Sequence, residues 1–228
     1  NINLNHLSVR SLAGTNVLQG VIHIEPALFD VLAGDSYELG TVVSQAATTN
    51  RPALELKFGD IVAEGTVTVP AGGINYSNNI ELSGPVAQIT GADPLTLSGQ
   101  LSGNGTVAVL LTNNPSGTIN TINHLLAFTQ PVENRAGGQI NGINGTFDFN
   151  GGLNNLGAMN LINTTVNGNV INNGAMSLAG TNTFTGGVSG AGNFSGAGTA
   201  QFSGTYSPGN SPAAVTFDGN VAFSPSAT

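Results

Sequence analysis

Apolar and polar positions alternate along this chain in short bursts, not in long runs. Phe147-Asp148-Phe149, Ala200-Gln201-Phe202, Val215-Thr216-Phe217 and Val221-Ala222-Phe223 each set two apolar residues around a third. In a strand, residues i and i+2 share a face, so each triplet offers two inward side chains and one outward one. Gly157-Ala158-Met159-Asn160-Leu161 recurs as Gly174-Ala175-Met176-Ser177-Leu178, and both copies follow an Asn two positions earlier, Asn155 and Asn172. A step of about 17 residues with strand-like triplets marks a repeat architecture. The stretch from Phe149 to Phe202 has room for three such steps. A lone triplet cannot bury itself, but stacked on the next coil, about 4.8 Å away, it joins an apolar column. Asn-Gly and Gly-Gly pairs are expected to turn the corners, where positive φ is needed. The fold class expected is all-β, a β-solenoid of the parallel β-helix kind.

The pattern divides the chain into three. Residues 1–50 read as an N-terminal cap or a small separate β region. They hold strands around Ile2 and Leu4 and at Val21-Ile22-His23-Ile24, then Pro26 to Gly34 as a short helix, with Pro at its first turn and Gly at its stop. A solenoid's first coil has no neighbour, and atypical terminal segments cover it. Residues 51–135 alternate with period two at Leu54/Leu56/Phe58, Val67/Val69, Ile80/Leu82, Leu95/Leu97 and Val107/Val109. Their spacing of roughly 12 to 15 residues fits tighter coils of the same column or antiparallel hairpins of a sandwich. Residues 136–228 carry the dense Gly/Asn-rich repeats.

Composition narrows the function classes. Of 228 residues, 33 are Gly and 29 Asn, 7% are charged and 39% hydrophobic, with a net charge of -8. The four basic residues, Arg10, Arg51, Lys57 and Arg135, form no stripe, which argues against nucleic acid and against anionic membrane surfaces. No apolar run approaches the length of a transmembrane helix. Without cysteine there are no disulfides or thiolate sites. The start at Asn1 implies a removed leader or a piece cut from a longer chain.

Leu178-Ala179-Gly180-Thr181-Asn182-Thr183-Phe184-Thr185-Gly186-Gly187 resembles the autotransporter-associated β-strand repeat, which runs Leu-Ser-Gly, a small residue, then Asn-Thr-Tyr-Thr-Gly-Gly. Ser207-Pro208-Gly209-Asn210-Ser211-Pro212, with Val215-Thr216-Phe217 and Gly219-Asn220 after it, resembles the Pro-Gly-Asn-Ser-Pro-Gly segment that closes such repeats. Ala213 stands where that family usually has Gly. The resemblance covers about residues 141–224 and implies a right-handed β-helix displayed on a bacterial surface or secreted, serving as stalk, adhesin or matrix component.

Candidate chemistry is sparse. Asp148 and Asp218, the charged residues of the late repeats, are expected in corresponding triplets about four coils apart, too far to cooperate in acid–base work. Glu25, Asp30, Asp35 and Glu38, with His23 nearby, are weak candidates for a Ca2+ site, and a solvated face is the plainer reading. His6, His23 and His124 lack metal-ligand spacing, so no cofactor or metal is expected. Thr66/Thr68 and Thr181/Thr183/Thr185 form outward rows suited to ice binding only if every coil continued them, and Asn, Ser or Gly are expected to interrupt them. The function expected is a non-enzymatic extracellular structural protein that extends, adheres or assembles. The partner expected is a second copy, joined by strand addition between Ile2 and Leu4 at one end and Val221 and Phe223 at the other. Glycans or a neighbouring cell surface are further expected partners. The alternative reading is a glycan-binding or polysaccharide-active β-helix.

Overall fold

The chain winds through three short strands per turn. In one complete coil Thr118–Ile122 forms the first face, Leu125–Phe128 the second and Val132–Asn134 the third, before Gln139–Ile143 returns to the first face one layer on. The computed structural model describes residues 21–24, 29–34, 36–39, 42–45, 53–57, 60–209, 214–225 and 227.

Each face is a parallel ladder in register from coil to coil. On the first face one inward column runs through Ile61, Ile80, Leu101, Ile119, Ile140, Met159, Met176, Phe194 and Phe217. Met159 lies directly against Met176, as the recurring Gly-Ala-Met segment requires. On the third face the column is Ile74, Leu95, Leu111, Val132, Leu153, Val170, Val188 and Tyr206. Eight positions at about 4.8 Å per layer make a stack roughly 34 Å tall. The period-two alternation of the triplets produces this directly: outward residues solvate the faces, while the inward ones merge into one core from Leu39 to Phe202.

The second face shows how the repeat accommodates coils of unequal length. Leu126, Phe147, Val166, Phe184, Phe202 and Phe223 share a column. Phe147, not Phe149, is therefore three coils below Phe202, because Phe149 stacks on Phe128 and faces Gly168. Members of this column are unevenly spaced along the chain, since loops between faces absorb the difference while the strands hold register. Phe128 and Phe149 stack at 5.1 Å between ring centroids, Phe184 and Phe202 at 5.3 Å, and Phe202 and Phe223 at 5.5 Å. Such pairs each contribute roughly 0.5–1.5 kcal/mol beyond their buried area.

The closer strand spacing in residues 51–135 marks successive strands on different faces. Thr66–Thr68 lies on the second face, Ile80–Thr90 begins on the first and Leu95–Leu97 lies on the third. From Ile61 on, the coils are as long as the later ones, and the described strands form neither hairpins nor tighter turns. Antiparallel pairing among the described strands is confined to Val42–Gln45 with Ala53–Lys57, which also pairs in parallel with Val21–Ile24 in a separate three-stranded sheet.

One local expectation is corrected and another is refined. The short helix proposed from Pro26 to Gly34 is not formed where the chain is described: Phe29–Val31 is a strand, paired in parallel with Ile61–Ala63, and Pro26 to Leu28 lie outside the described residues. Phe29-Asp30-Val31 is itself an alternating triplet, and joining the ladder pairs backbone groups that one helical turn would leave open. The corners follow the expectation in part. Gly152 and Gly168, each the second residue of a Gly-Gly or Asn-Gly pair, take φ +85° where the chain passes from the second to the third face, and the Asn104-Gly105 pair sits where a continuous strand shifts from the first face to the second. The first-to-second-face corners of later coils are turned by asparagine itself, Asn123, Asn144 and Asn163 at φ 58°, 51° and 49°, whereas the pair at Asn141 lies inside a first-face strand.

Candidate functional site

Two asparagine ladders run along the stack, and their difference locates the site. The inner one occupies the end of the third face, where Asn113, Asn134, Asn155 and Asn172 sit in adjacent coils with at most 1% of their surface exposed. Asn113 Nδ2 donates to Asn134 Oδ1, Asn134 Nδ2 to Asn155 Oδ1 and Asn155 Nδ2 to Asn172 Oδ1, each at 2.7 Å. Asn134 also donates to the Gly138 and Ala158 carbonyls at 3.4 and 3.3 Å. The ladder ends with Asn113 Oδ1 and Asn172 Nδ2 unpartnered. Its middle members are closed off inside the protein, and this row is structural.

The outer ladder lies on the first face. Asn120, Asn141 and Asn160 are in register, pointing outward from a column that also holds Glu81 and Ser102 before them and Ser177 and Ser195 after them. Asn141 Nδ2 donates to Asn120 Oδ1 and Asn160 Nδ2 to Asn141 Oδ1, both at 2.8 Å. Two positions on, and therefore also outward, stand Ile122, Ile143 and Ile162. Ile122 and Ile162 are 53% and 40% exposed. Between the two outward rows the inward position holds Thr121, whose hydroxyl donates to the His124 carbonyl at 3.0 Å and fixes the corner beside the groove. Gln100, Asn123 and His124 complete the rim of a groove of about 790 Å³. Glu81 and His124 are the ionisable residues of its lining, and no Lys or Arg lines it.

Of the residues singled out from sequence, His124 lines the groove, and the other described ones fall elsewhere. Glu25 and Asp35 lie outside the described residues, as do Ile2, Leu4 and His6. Asp30 is on the first face within Phe29–Val31 and Glu38 on the second within Ser36–Glu38. Among the described residues no group of three or more His, Cys, Asp or Glu could hold a metal ion, and no helix is long and apolar enough to cross a membrane. Asp148 and Asp218 do not occupy corresponding triplets: Asp148 is in a second-face strand, whereas Asp218 follows Phe217, which bridges to Phe194 on the first face. The threonine rows also differ from expectation. Thr146, Thr165 and Thr183 stack in one column, between Leu125 and Gln201.

The groove residues were readable in retrospect. Ile119-Asn120-Thr121-Ile122-Asn123 returns as Ile140-Asn141-Gly142-Ile143-Asn144 and as Met159-Asn160-Leu161-Ile162-Asn163. An outward Ile at each repeat has no role in the core, and that was the available signal. No family model, no curated protein and no solved structure matches the chain.

Proposed function

We propose that the chain is a non-enzymatic, extracellular structural protein: the shaft of a bacterial surface stalk or adhesin, or the subunit of a self-assembling matrix or filament. The observation that carries this reading is the unbroken column from Ile61 to Phe217 together with the strand Asn220–Phe223. That strand is paired on one side, to Thr199–Phe202, among the described strands. Its Val221 and Phe223 are 39% and 58% exposed. An edge strand with apolar side chains and open backbone groups is a template for another strand. The occupant proposed is a second copy, added head to tail. A contact of that kind that does not close on itself yields a filament. The resemblance of residues 141–224 to the autotransporter-associated repeat supports a surface or secreted location, and the low charge suits a neutral polar exterior.

Negative-stain imaging with sedimentation velocity tests the assembly. Rods that lengthen with concentration are expected for the intact chain, with single particles for Phe223→Asp and for a chain lacking residues 1–10. Single particles of the intact chain at every concentration would remove the self-assembling half of the proposal.

A further inference from the structure

We propose that the groove on the first face binds an uncharged, extended glycan laid along the solenoid axis. The inference deepens the adhesive side of the reading above, but it stands on the groove's own geometry and does not require assembly.

Three features of the groove define the occupant. First, an amide has two N–H donors and two acceptor lone pairs. Asn141 uses one N–H and one lone pair within the ladder, to Asn120 and Asn160 respectively, which leaves a donor and an acceptor for a ligand. Groups that both donate and accept, such as the hydroxyls of a sugar ring, match that pair. Second, the apolar row of Ile122, Ile143 and Ile162 runs parallel to the amides. It suits a ligand with C–H faces beside its hydroxyls, as a pyranose has. Third, the lining holds Glu81 and no Lys or Arg, so an acidic polymer would meet repulsion with no fixed cation to neutralise it.

Competing occupants fit less well. An extended peptide binds a sheet by backbone pairing at a free edge. Thr118–Ile122 is paired on both sides, to Gln100–Val107 and Gln139–Ile143, and offers no edge. A wholly apolar ligand would strip water from the amides without replacing their hydrogen bonds, which is costly. The ladder also holds the amides in place before binding, so less side-chain freedom is lost when a ligand arrives. From Glu81 to Asn160 the column spans five layers, about 19 Å, with one layer per coil for roughly one sugar each.

The test is calorimetric titration of the full chain with neutral oligosaccharides (glucose, mannose and N-acetylglucosamine series in several linkages), with oligogalacturonate as the acidic comparator. At least one neutral series is expected to bind, tightening with length to about five units. Asn141→Ser and Ile143→Ala report on the groove without threatening the fold, because Ser102 and Ser177 already occupy the amide column and Ala179 the isoleucine column. Each variant is expected to weaken binding about tenfold, in line with the loss of one or two hydrogen bonds or a buried side chain. Asn167→Ser, on the second face, is expected to leave it unchanged. Absence of binding by every neutral series, preference for the acidic one, or equal binding by the groove variants would overturn the proposal. None of these results bears on filament formation, which is read separately by imaging.

Discussion

Asparagine does three separate jobs in this molecule, and burial decides which. At φ near 50°, Asn123, Asn144 and Asn163 turn corners, a conformation in which the short amide side chain is tolerated better than most. On the outer face Asn120, Asn141 and Asn160 keep hydrogen-bonding capacity facing solvent. Inside, Asn134 joins Asn113 to Asn155 with no access to water. Asn134→Leu is expected to destabilise the fold by about 3 kcal/mol, because it strands a buried donor on one neighbour and a buried acceptor on the other; urea unfolding measures it. Asn141→Ser should change the same midpoint little. The sequence displayed Asn155 and Asn172 two positions before each Gly, yet nothing in that spacing separates an inward amide from an outward one. Tyr206 adds a pH effect. Burial raises its phenol above the ordinary 10.0, and its hydroxyl has no partner. The folded chain thus holds this proton longer than the unfolded one. The stability it contributes is whole below about pH 10 and declines as pH rises through the folded value. Tyr206→Phe is expected to flatten that decline in unfolding curves measured above about pH 10, and to remove one high-titrating tyrosine from the absorbance titration.

At the scale of the strand, register is held by close backbone approach as much as by the apolar columns. Gly168 sits at φ +85° opposite Phe149, and a Cβ there would lie 2.0 Å from the Phe149 carbonyl oxygen. Gly152 has the same φ of +85°, but its nearest neighbour would be 3.7 Å away. Gly168→Ala and Gly152→Ala therefore carry the same backbone strain, of about 1–3 kcal/mol, while only the former must also push two coils apart. Gly168→Ala is expected to lower the unfolding free energy by at least about 2 kcal/mol more than Gly152→Ala does. Equal losses would mean that the coils yield without cost. The strand triplets themselves were legible, down to Met159 on Met176. The placement of Phe149 was not, because both phenylalanines of Phe147-Asp148-Phe149 point inward and either could have continued the column. The coil above settles the matter: Val166 meets Phe147, and Gly168 leaves room over Phe149. Phe29–Val31 is ambiguous in the sequence for a related reason. Its short apolar spacing fits a helical face as well as a rung, and only the pairing with Ile61–Ala63 distinguishes them.

The whole molecule behaves as a one-dimensional stack, in which each coil touches chiefly its neighbours. Ala158 and Ala175 occupy the same register position in adjacent coils, so excising residues 158–174 removes one complete layer and lets Met176 fall where Met159 stood, against Ile140. The shortened chain is expected to keep a cooperative thermal transition and an undiminished β-type circular dichroism per residue. Excising 160–175 instead places the junction inside the strand Ala158–Ile162, where no loop can absorb it. Met176 and Leu178 are then sent to the outward positions, and loss of the cooperative transition is expected. If both deletions folded equally well, the loops and not the strands would be setting the register.

The amino-acid sequence alone determined the kind of object this is. A period-two alternation repeated once per coil can bury its apolar side only by stacking, and stacking in parallel makes a solenoid. It could not determine which rows would meet. Hydrogen bonds between Asn120, Asn141 and Asn160, the isoleucine row beside them and the groove between both exist only once coils of unequal length are brought level. Loop lengths between strands are invisible to a periodic pattern, and the ladder's backbone pairing fixes them.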